Sequence, residues 1–331
     1  MNDRQDPLHI TNQMLFLAAS ISEKLGTISL FSDLSSKPQL QKENRVENIH
    51  ASLSMEGVYL PPGDTARIVS GQSPSWPSQY QKEIQNTYDA YRTFSQLDPY
   101  SLSALRQLHD LTTPAFTGAS SWYRQNEIDV IHQDHFYFRA PPAQLVPGLL
   151  IELFDWMKTN QNDIHPLILS SVFHSEFFQI QPFMKGNGRT ARLWHIVILS
   201  HWRPVFSSFP FESRLQQSDA DYYRALAESH ATGSPERFVS YLLEQLDLLL
   251  TEVTETLKNR EKEPLSRYVR KLLSIMEYHV PYTAGTLMER LQLKSRETFR
   301  KNYINPAIAL GLVTMTLPDR PQSRNQQYIR L

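Results

Sequence analysis

The stretch His174-Ser175-Glu176-Phe177-Phe178-Gln179-Ile180-Gln181-Pro182-Phe183-Met184-Lys185-Gly186-Asn187-Gly188-Arg189-Thr190-Ala191-Arg192 decides how the chain is organised. Upstream, Leu169, Val172, Phe173, Phe177 and Ile180 fall on one face at helical spacing, which predicts a helix over Leu167–Ile180 that Pro182 ends. A second helix is predicted from about Gly188, with Leu193, Ile196 and Val197 as its apolar stripe. Glycine is scarce, 11 in the chain, and two glycines flank Asn187. Residues without a Cβ let backbone N–H groups come close to an anion, and the helix that follows adds the positive end of its dipole. Arg189 and Arg192 are three apart on one side of that helix, and planar guanidinium forks suit phosphate oxygens. The segment is a candidate cradle for a di- or triphosphate. Taken alone, Gly-x-Gly-Arg also fits an ordinary glycine-containing helix start with surface arginines.

Working outward, apolar periodicity predicts helices over Asn12–Leu25 with Gly26 as a stop, and over Gln41–Leu53. Pro61-Pro62-Gly63-Asp64 is a break with Asp64 as N-cap, and Ser70–Ser78 is a loop. Helices follow at Gln79–Gln96, Ser101–Leu111, Leu145–Lys158, Asp221–Ser229 and Pro235–Leu257. Between Tyr123 and Arg139, Ile128, Val130, Phe136 and Phe138 alternate with polar residues on either side of His132-Gln133-Asp134, a hairpin whose turn lacks glycine. Its tip, His132 to His135, reads as solvated rather than as a metal site, and His174 as a buried, hydrogen-bonded structural histidine.

The quoted stretch resembles the signature of the Fic family, His-Pro-Phe-x-Asp/Glu-Gly-Asn-Gly-Arg-x-x-Arg. Tyr123-Arg124-x-Asn126-x-Ile128 with Pro141-Pro142 is similar to that family's flap, and Asp221-Tyr222-Tyr223-x-x-Leu226 to its nucleotide-side helix. The resemblance implies a mainly α fold: a Fic (Fido) helical bundle with a β-hairpin flap and a small winged helix-turn-helix domain. It implies N-terminal helices over 1–110, a core with flap and phosphate loop over 111–257 and a winged tail over 264–331. Members typically transfer AMP from ATP to a hydroxyl side chain of a target protein. The family's pattern implies phosphate or nucleotide contacts from Lys185, Gly186, Asn187, Gly188, Arg189, Arg192, Tyr222 and Tyr223. It implies a target-protein edge at flap residues Ile128, Val130 and Ile131.

Two positions depart from the pattern. Gln181 stands where the catalytic histidine is expected, and an amide has no basicity near neutral pH; losing such a base typically costs about 10²–10⁴-fold in rate. Lys185 stands at the acidic position and cannot ligate Mg²⁺, so no metal ligand is expected and Mg²⁺ dependence is in doubt. The implied cofactor is ATP or another nucleotide. Ser52-x-x-x-Glu56-Gly57 resembles the family's inhibitory motif, which implies a carboxylate paired with Arg192 in the place of the γ-phosphate. Two functions stay open: a nucleotide-binding regulator with AMP transfer reduced or lost, and an active protein adenylyltransferase held back through Glu56.

The chain has 331 residues, 40% hydrophobic and 20% charged, with no cysteine, which excludes disulfides and thiolate chemistry. No apolar run approaches membrane length, and Met1–Thr11 lacks a secretory design, so a cytoplasmic protein is the expectation. The net charge of −1 hides an asymmetry. Residues 260–331 hold 13 Lys and Arg against 6 Asp and Glu, and the rest holds 20 against 28. The basic tail follows a charged linker, Lys258–Pro264. It reads as helix Leu265–Tyr278, helix Ala284–Leu291, helix Glu297–Leu310, strand Leu312–Leu317 and strand Gln327–Leu331, with Lys294, Arg296, Arg300, Lys301, Arg320 and Arg324 gathered on it. Contact with DNA or with protein is expected there, and a homodimer is compatible with the sequence.

Overall fold

Alternating helices and tight turns dominate the computed structural model, which describes residues 8–31, 38–61, 63–113, 123–262, 265–318, 320–321 and 323–331. The N-terminal residues Met1–Pro7, Pro62 of the proline break, the linker's Glu263-Pro264 and Asp319 of the tail turn lie outside the described residues. The chain forms two units, Met1–Thr254 and Glu255–Leu331.

In the first unit, α1 spans Asn12–Phe31. Gly26 does not stop it: its φ is not in the left-handed region, and Ile28, 2% exposed, continues the buried stripe of Met14, Ile21 and Leu25. Then α2 (Pro38–Ser54) ends in a turn at Met55–Gly57, where Gly57 takes φ 77° and Val58 N–H donates to Leu53 O at 2.9 Å. Asp64 is not an N-cap. It is the first residue of α3 (Asp64–Val69), and its carboxylate accepts from Arg67 and Trp76 instead. Helix α4 (Ser78–Ala90) is shorter than its sequence pattern predicts, and a separate turn follows at Phe94–Gln96. Helix α5 (Leu102–Thr112) starts on an N-cap bond from Ala104 N–H to Ser101 Oγ.

The hairpin forms as β1 (Asp129–His132) and β2 (His135–Arg139), with a register shift between Val130 and Ile131. Gln133 and Asp134 occupy its two-residue turn at φ 48° and 61°. Both are left-handed positions that glycine or asparagine usually fill. After α6 (Val146–Asn160), helix α7 (Pro166–Ile180) packs against α8 (Asn187–Trp202). Residues Ala191–Leu199 of α8 are buried on every side, Trp194 completely. Each such large apolar side chain contributes about 1.5–3 kcal/mol, and this all-round burial fixes the helix that carries the arginines.

One helix escaped the sequence pattern. No element is predicted between the helix from Gly188 and Asp221, yet α9 (Phe211–Gln217) forms there. Pro210 offers no cap, so the first N–H groups are satisfied from another helix: Asn48 Oδ1 of α2 accepts from Glu212 and Ser213 N–H at 3.0 and 3.2 Å. Helices α10 (Asp219–Thr232) and α11 (Glu236–Lys262) complete this part of the chain. Among the described residues no helix is long and apolar enough to cross a membrane.

The second unit has its own core, with Val269, Leu272, Leu287, Phe299, Tyr303, Ile304 and Val313 buried together. Its first helix, α12 (Arg267–Leu273), covers only half of the stretch predicted as helix; a strand missed in the sequence, β3 (Pro281–Thr283), follows. Next come α13 (Ala284–Arg290) and one continuous helical run: α14 (Arg296–Thr298), a π-helical turn at Phe299–Ile304, and α15 (Asn305–Ala309). Pro306 supplies no N–H to the run, which accounts for its irregular middle. Strands β4 (Val313–Met315) and β5 (Gln327–Arg330) close an antiparallel sheet in the order β3-β5-β4.

Candidate functional site

Helix α7 ends at Gln181, which takes a left-handed conformation, φ 48° and ψ 61°. A non-glycine residue there carries a strain of about 1–2 kcal/mol. Local bonds offset it: Gln181 Nε2 donates back to Phe178 O at 2.6 Å, and Gln181 O accepts from Arg124 Nε at 2.7 Å. The side chain at the expected base position is thus turned into the end of its own helix as a cap. It is buried.

Arg124, quoted above only as part of the flap resemblance, has a structural role that the sequence did not reveal. Fully buried at 1% exposed, it donates to the carbonyls of Gln181, Asn126, Ile180 and Pro141. Its own N–H donates to Pro182 O at 2.9 Å. One guanidinium fork therefore ties both ends of the hairpin to the start of the loop. The loop itself is stapled by Asn187, whose amide accepts from Phe183 N–H at 2.8 Å and donates to Phe183 O at 2.7 Å. The side chain expected to bind phosphate spends both of these groups on shaping the turn. Phe183 stacks on His109 at 3.6 Å between ring centres. His109 Nε2 lies 3.1 Å from Lys185 O, which can only accept, so that nitrogen carries the proton. Burial holds His109 below the usual histidine range, which keeps the ring neutral. Lys185 is exposed at the lip of the loop, beside exposed Met184.

The two glycines act at close quarters. Gly186 caps α8 with φ 75°, and a Cβ there would stand 2.6 Å from Thr113 Oγ1. A Cβ on Gly188 would stand 3.0 Å from Arg192 Nη1. Among the described residues, Thr113 Oγ1 and Arg192 Nη1 are both buried without a hydrogen-bond partner. Buried polar atoms are nearly always satisfied. Two orphans beside a glycine-lined helix N-terminus fit an oxyanion ligand. A metal ion fits less well: an ammonium occupies the lip, and among the described residues no group of three or more His, Asp or Glu is arranged to hold one.

Five elements converge on the two guanidinium groups. Arg189 Nη2 donates to Glu56 Oε2 at 2.7 Å, and its Nη1 to Glu83 Oε2 of α4 at 3.1 Å and to Thr112 O of α5 at 2.7 Å. Arg192 Nη2 donates to Glu56 Oε1 at 3.1 Å and to Ser52 Oγ at 2.8 Å, and its Nε meets Glu212 Oε1 of α9 at 3.3 Å. Glu56 therefore spans both arginines, not Arg192 alone. Glu83 and Glu212 were not legible as site residues, because nothing in the sequence brings 83, 189 and 212 together. Burial works against charge on both arginines, and the surrounding groups more than offset it: Glu56 and Glu83 for Arg189, Tyr222, Glu56 and Glu212 for Arg192. Burial raises the Glu212 carboxyl, and Arg192 opposes the rise. The side chains of Glu83 and Glu212 are 4% and 0% exposed, whereas that of Glu56 is 22% exposed on a turn. Glu56 is the most exposed member of the set. Gly57, next to it, gives that turn its left-handed residue.

Tyr222 and Tyr223 are placed differently from each other. Tyr222 is buried beside Arg192, and its hydroxyl lies 2.8 Å from His174 Nε2. Burial keeps His174 far below the usual histidine range and therefore neutral. Tyr223 donates to Met55 O at 3.2 Å, next to Glu56, and stacks on His132 at 3.9 Å. The hairpin tip is accordingly not solvated at His132: its side chain is 9% exposed and its Nε2 lies 2.6 Å from Asp219 Oδ2 of α10. That anchor explains how a turn without glycine is held. Val130 of the hairpin is buried inward, while Ile131, 60% exposed, faces out with its register partner Phe136, and Ile128 accepts from Ala140 N–H.

The chain is similar to known proteins along most of its length. Residues 97–199 match the Fic/DOC family, and residues 267–331 match the "Filamentation induced by cAMP protein Fic-like, C-terminal domain". A Fic family protein from Desulfovibrio desulfuricans G20 is 30% identical with TM-score 0.70, over 99% of this chain and 98% of that one. A Fic domain containing signaling protein from Bacteroides thetaiotaomicron is 18% identical with TM-score 0.59, over 72% of this chain and 98% of that one, a likeness of fold. A curated relative from Aquifex aeolicus, named "Probable protein adenylyltransferase", is 38% identical over 56 residues, 17% of this chain and 17% of its own length.

Proposed function

The chain belongs to the Fic/DOC family, and on that premise we propose that it is a nucleotide-binding member whose capacity to transfer AMP is strongly reduced or lost. The loop Gly186–Arg192 holds the phosphates of ATP or a related nucleotide. Arg189 Nη2 and Arg192 Nη2 meet them once Glu56 withdraws, and Lys185 adds a point charge at the lip. The observation that carries the proposal is Arg192 Nη1, a buried guanidinium nitrogen beside Gly188 that has no hydrogen-bond partner among the described residues. ATP, when bound, supplies the activated phosphate. This chain's residues bind and orient it, but Gln181, capping Phe178 O, accepts no proton from a hydroxyl. Lys185 neutralises phosphate directly, so binding depends weakly on Mg²⁺.

The Glu56 clasp favours a second reading, an adenylyltransferase restrained by its own carboxylate, since a brake has a use where there is something to restrain. The same experiment separates the two. Calorimetric titration of a non-hydrolysable ATP analogue into Glu56→Gly, with and without Mg²⁺, is expected to show binding in both conditions. Labelled ATP is expected to leave no label on protein with Glu56→Gly alone, and to leave some with Glu56→Gly/Gln181→His. Absence of binding in either condition removes the cradle. Efficient labelling by the unaltered chain removes the claim of lost chemistry.

A further inference from the structure

We propose that the C-terminal unit carries a binding face for the backbone of double-stranded DNA, formed by the first half of the Arg296–Ala309 helical run together with the β4–β5 turn. Residues 265–331 hold 11 Lys and Arg against 4 Asp and Glu. Apart from exposed Lys271 on α12, the cations divide into two groups. Arg267, Arg270, Arg290 and Arg330 have structural employment: Arg267 on the Tyr268 hydroxyl, Arg270 on Leu265 O, Arg290 on Ile275 O, and Arg330 on Leu273 O and Met276 O. Lys294, Arg296, Arg300, Lys301, Arg320 and Arg324 are exposed, and among the described residues none of their side chains forms a hydrogen bond or an ion pair.

The fold brings five of these six to two neighbouring places. In the helical run, Phe299, Tyr303, Ile304 and Ala307 point into the core, which leaves Arg296, Arg300 and Lys301 outward. Arg296 and Arg300 are four apart and share a side. Arg320 and Arg324 sit on the turn between β4 and β5, and β5 packs on the helix through Tyr328 against Phe299, with ring centres 6.3 Å apart. Glu297 is the one carboxylate on the exposed part of the run, and it pairs with none of these cations. A cationic face without ion pairs among the described residues matches a polymer that carries about one negative charge per 1.7 Å of axis. The run of 14 residues is about 21 Å long, and a helix of this diameter enters the major groove by its N-terminal half, where the cations lie. An acidic protein surface is the competing occupant. Duplex DNA is favoured because the cations are spread over a helix and a hairpin turn, as a continuous charged groove requires.

The test is fluorescence anisotropy of the full chain on a labelled mixed-sequence duplex of about 20 base pairs, from 25 to 200 mM KCl. Binding at low salt that weakens steeply with salt is expected. Arg296→Ala/Arg300→Ala/Lys301→Ala is expected to reduce the slope of log K against log salt by about three and to weaken binding roughly 10- to 100-fold at low salt. Arg320→Ala/Arg324→Ala tests the turn separately, with a reduction of about two. Thermal unfolding of both variants is expected to match the parent, since the substituted side chains are exposed and unpaired. No binding at 25 mM, equal binding by the variants, or polyglutamate bound as tightly as duplex would each overturn the proposal.

Discussion

Replacing Glu56 probes the arrangement most directly. Its carboxylate accepts from Arg189 Nη2 at 2.7 Å and from Arg192 Nη2 at 3.1 Å. A hydrogen bond to a charged group contributes about 1.5–3 kcal/mol net. Breaking a fully buried ion pair costs about 3–5 kcal/mol, because a charge is left uncompensated. That larger cost does not arise here. Without Glu56, Arg189 still meets Glu83 and Thr112 O, and Arg192 still meets Glu212 and Ser52. A phosphate that displaces Glu56 must replace roughly one good charged contact, about 1.5–3 kcal/mol, so removing Glu56 in advance should tighten nucleotide binding about 10- to 150-fold. Isothermal titration of a non-hydrolysable ATP analogue into the parent and Glu56→Gly measures it. Glu56→Gln, which keeps the shape but not the charge, should fall between them. Unfolding by urea should show Glu56→Gly destabilised by no more than about 2 kcal/mol without ligand. Affinity unchanged or weakened in a folded Glu56→Gly protein would refute the reasoning, because Glu56 would then not occupy the ligand's place.

Other consequences are as specific. Glu83→Ala removes a resident counter-ion whose side chain is 4% exposed and should cost about 2–4 kcal/mol in urea unfolding, more than Glu56→Gly, since Arg189 stays buried. Gly186→Ala meets both a left-handed φ and a Cβ 2.6 Å from Thr113 Oγ1; a loss of at least about 2 kcal/mol is expected, part of it recovered in Gly186→Ala/Thr113→Ala, as differential calorimetry would report. His195 is buried and held down to about 4 by burial, so the unfolded chain binds its proton first as pH falls. Its share of stability is complete above about pH 6.5 and fades between there and about 4, amounting to about 3 kcal/mol; His195→Phe should flatten that limb in denaturation curves measured from pH 7 to 4. Arg124→Lys should leave several loop and hairpin carbonyls without donors and speed amide exchange in Asp129–Arg139, detectable by hydrogen exchange and mass spectrometry.

The sequence alone determined the helical class, the hairpin, the loop and the two altered positions. These are local properties: the apolar stripe of Leu169, Val172, Phe173 and Phe177, the pair Gly186 and Gly188, and side chains whose chemistry is the same in any fold. Tertiary structure decided what those side chains do. Asn187 shapes the turn by gripping Phe183, Gln181 caps its own helix, and His132, read as solvated, is docked on Tyr223 and Asp219. Helix α9 was hidden because its cap comes from Asn48, more than 160 positions away in sequence. Glu83 and Glu212 stayed invisible for a related reason. A buried carboxylate is recognised by the guanidinium it neutralises, and only packing brings residues 83, 189, 192 and 212 within hydrogen-bonding distance.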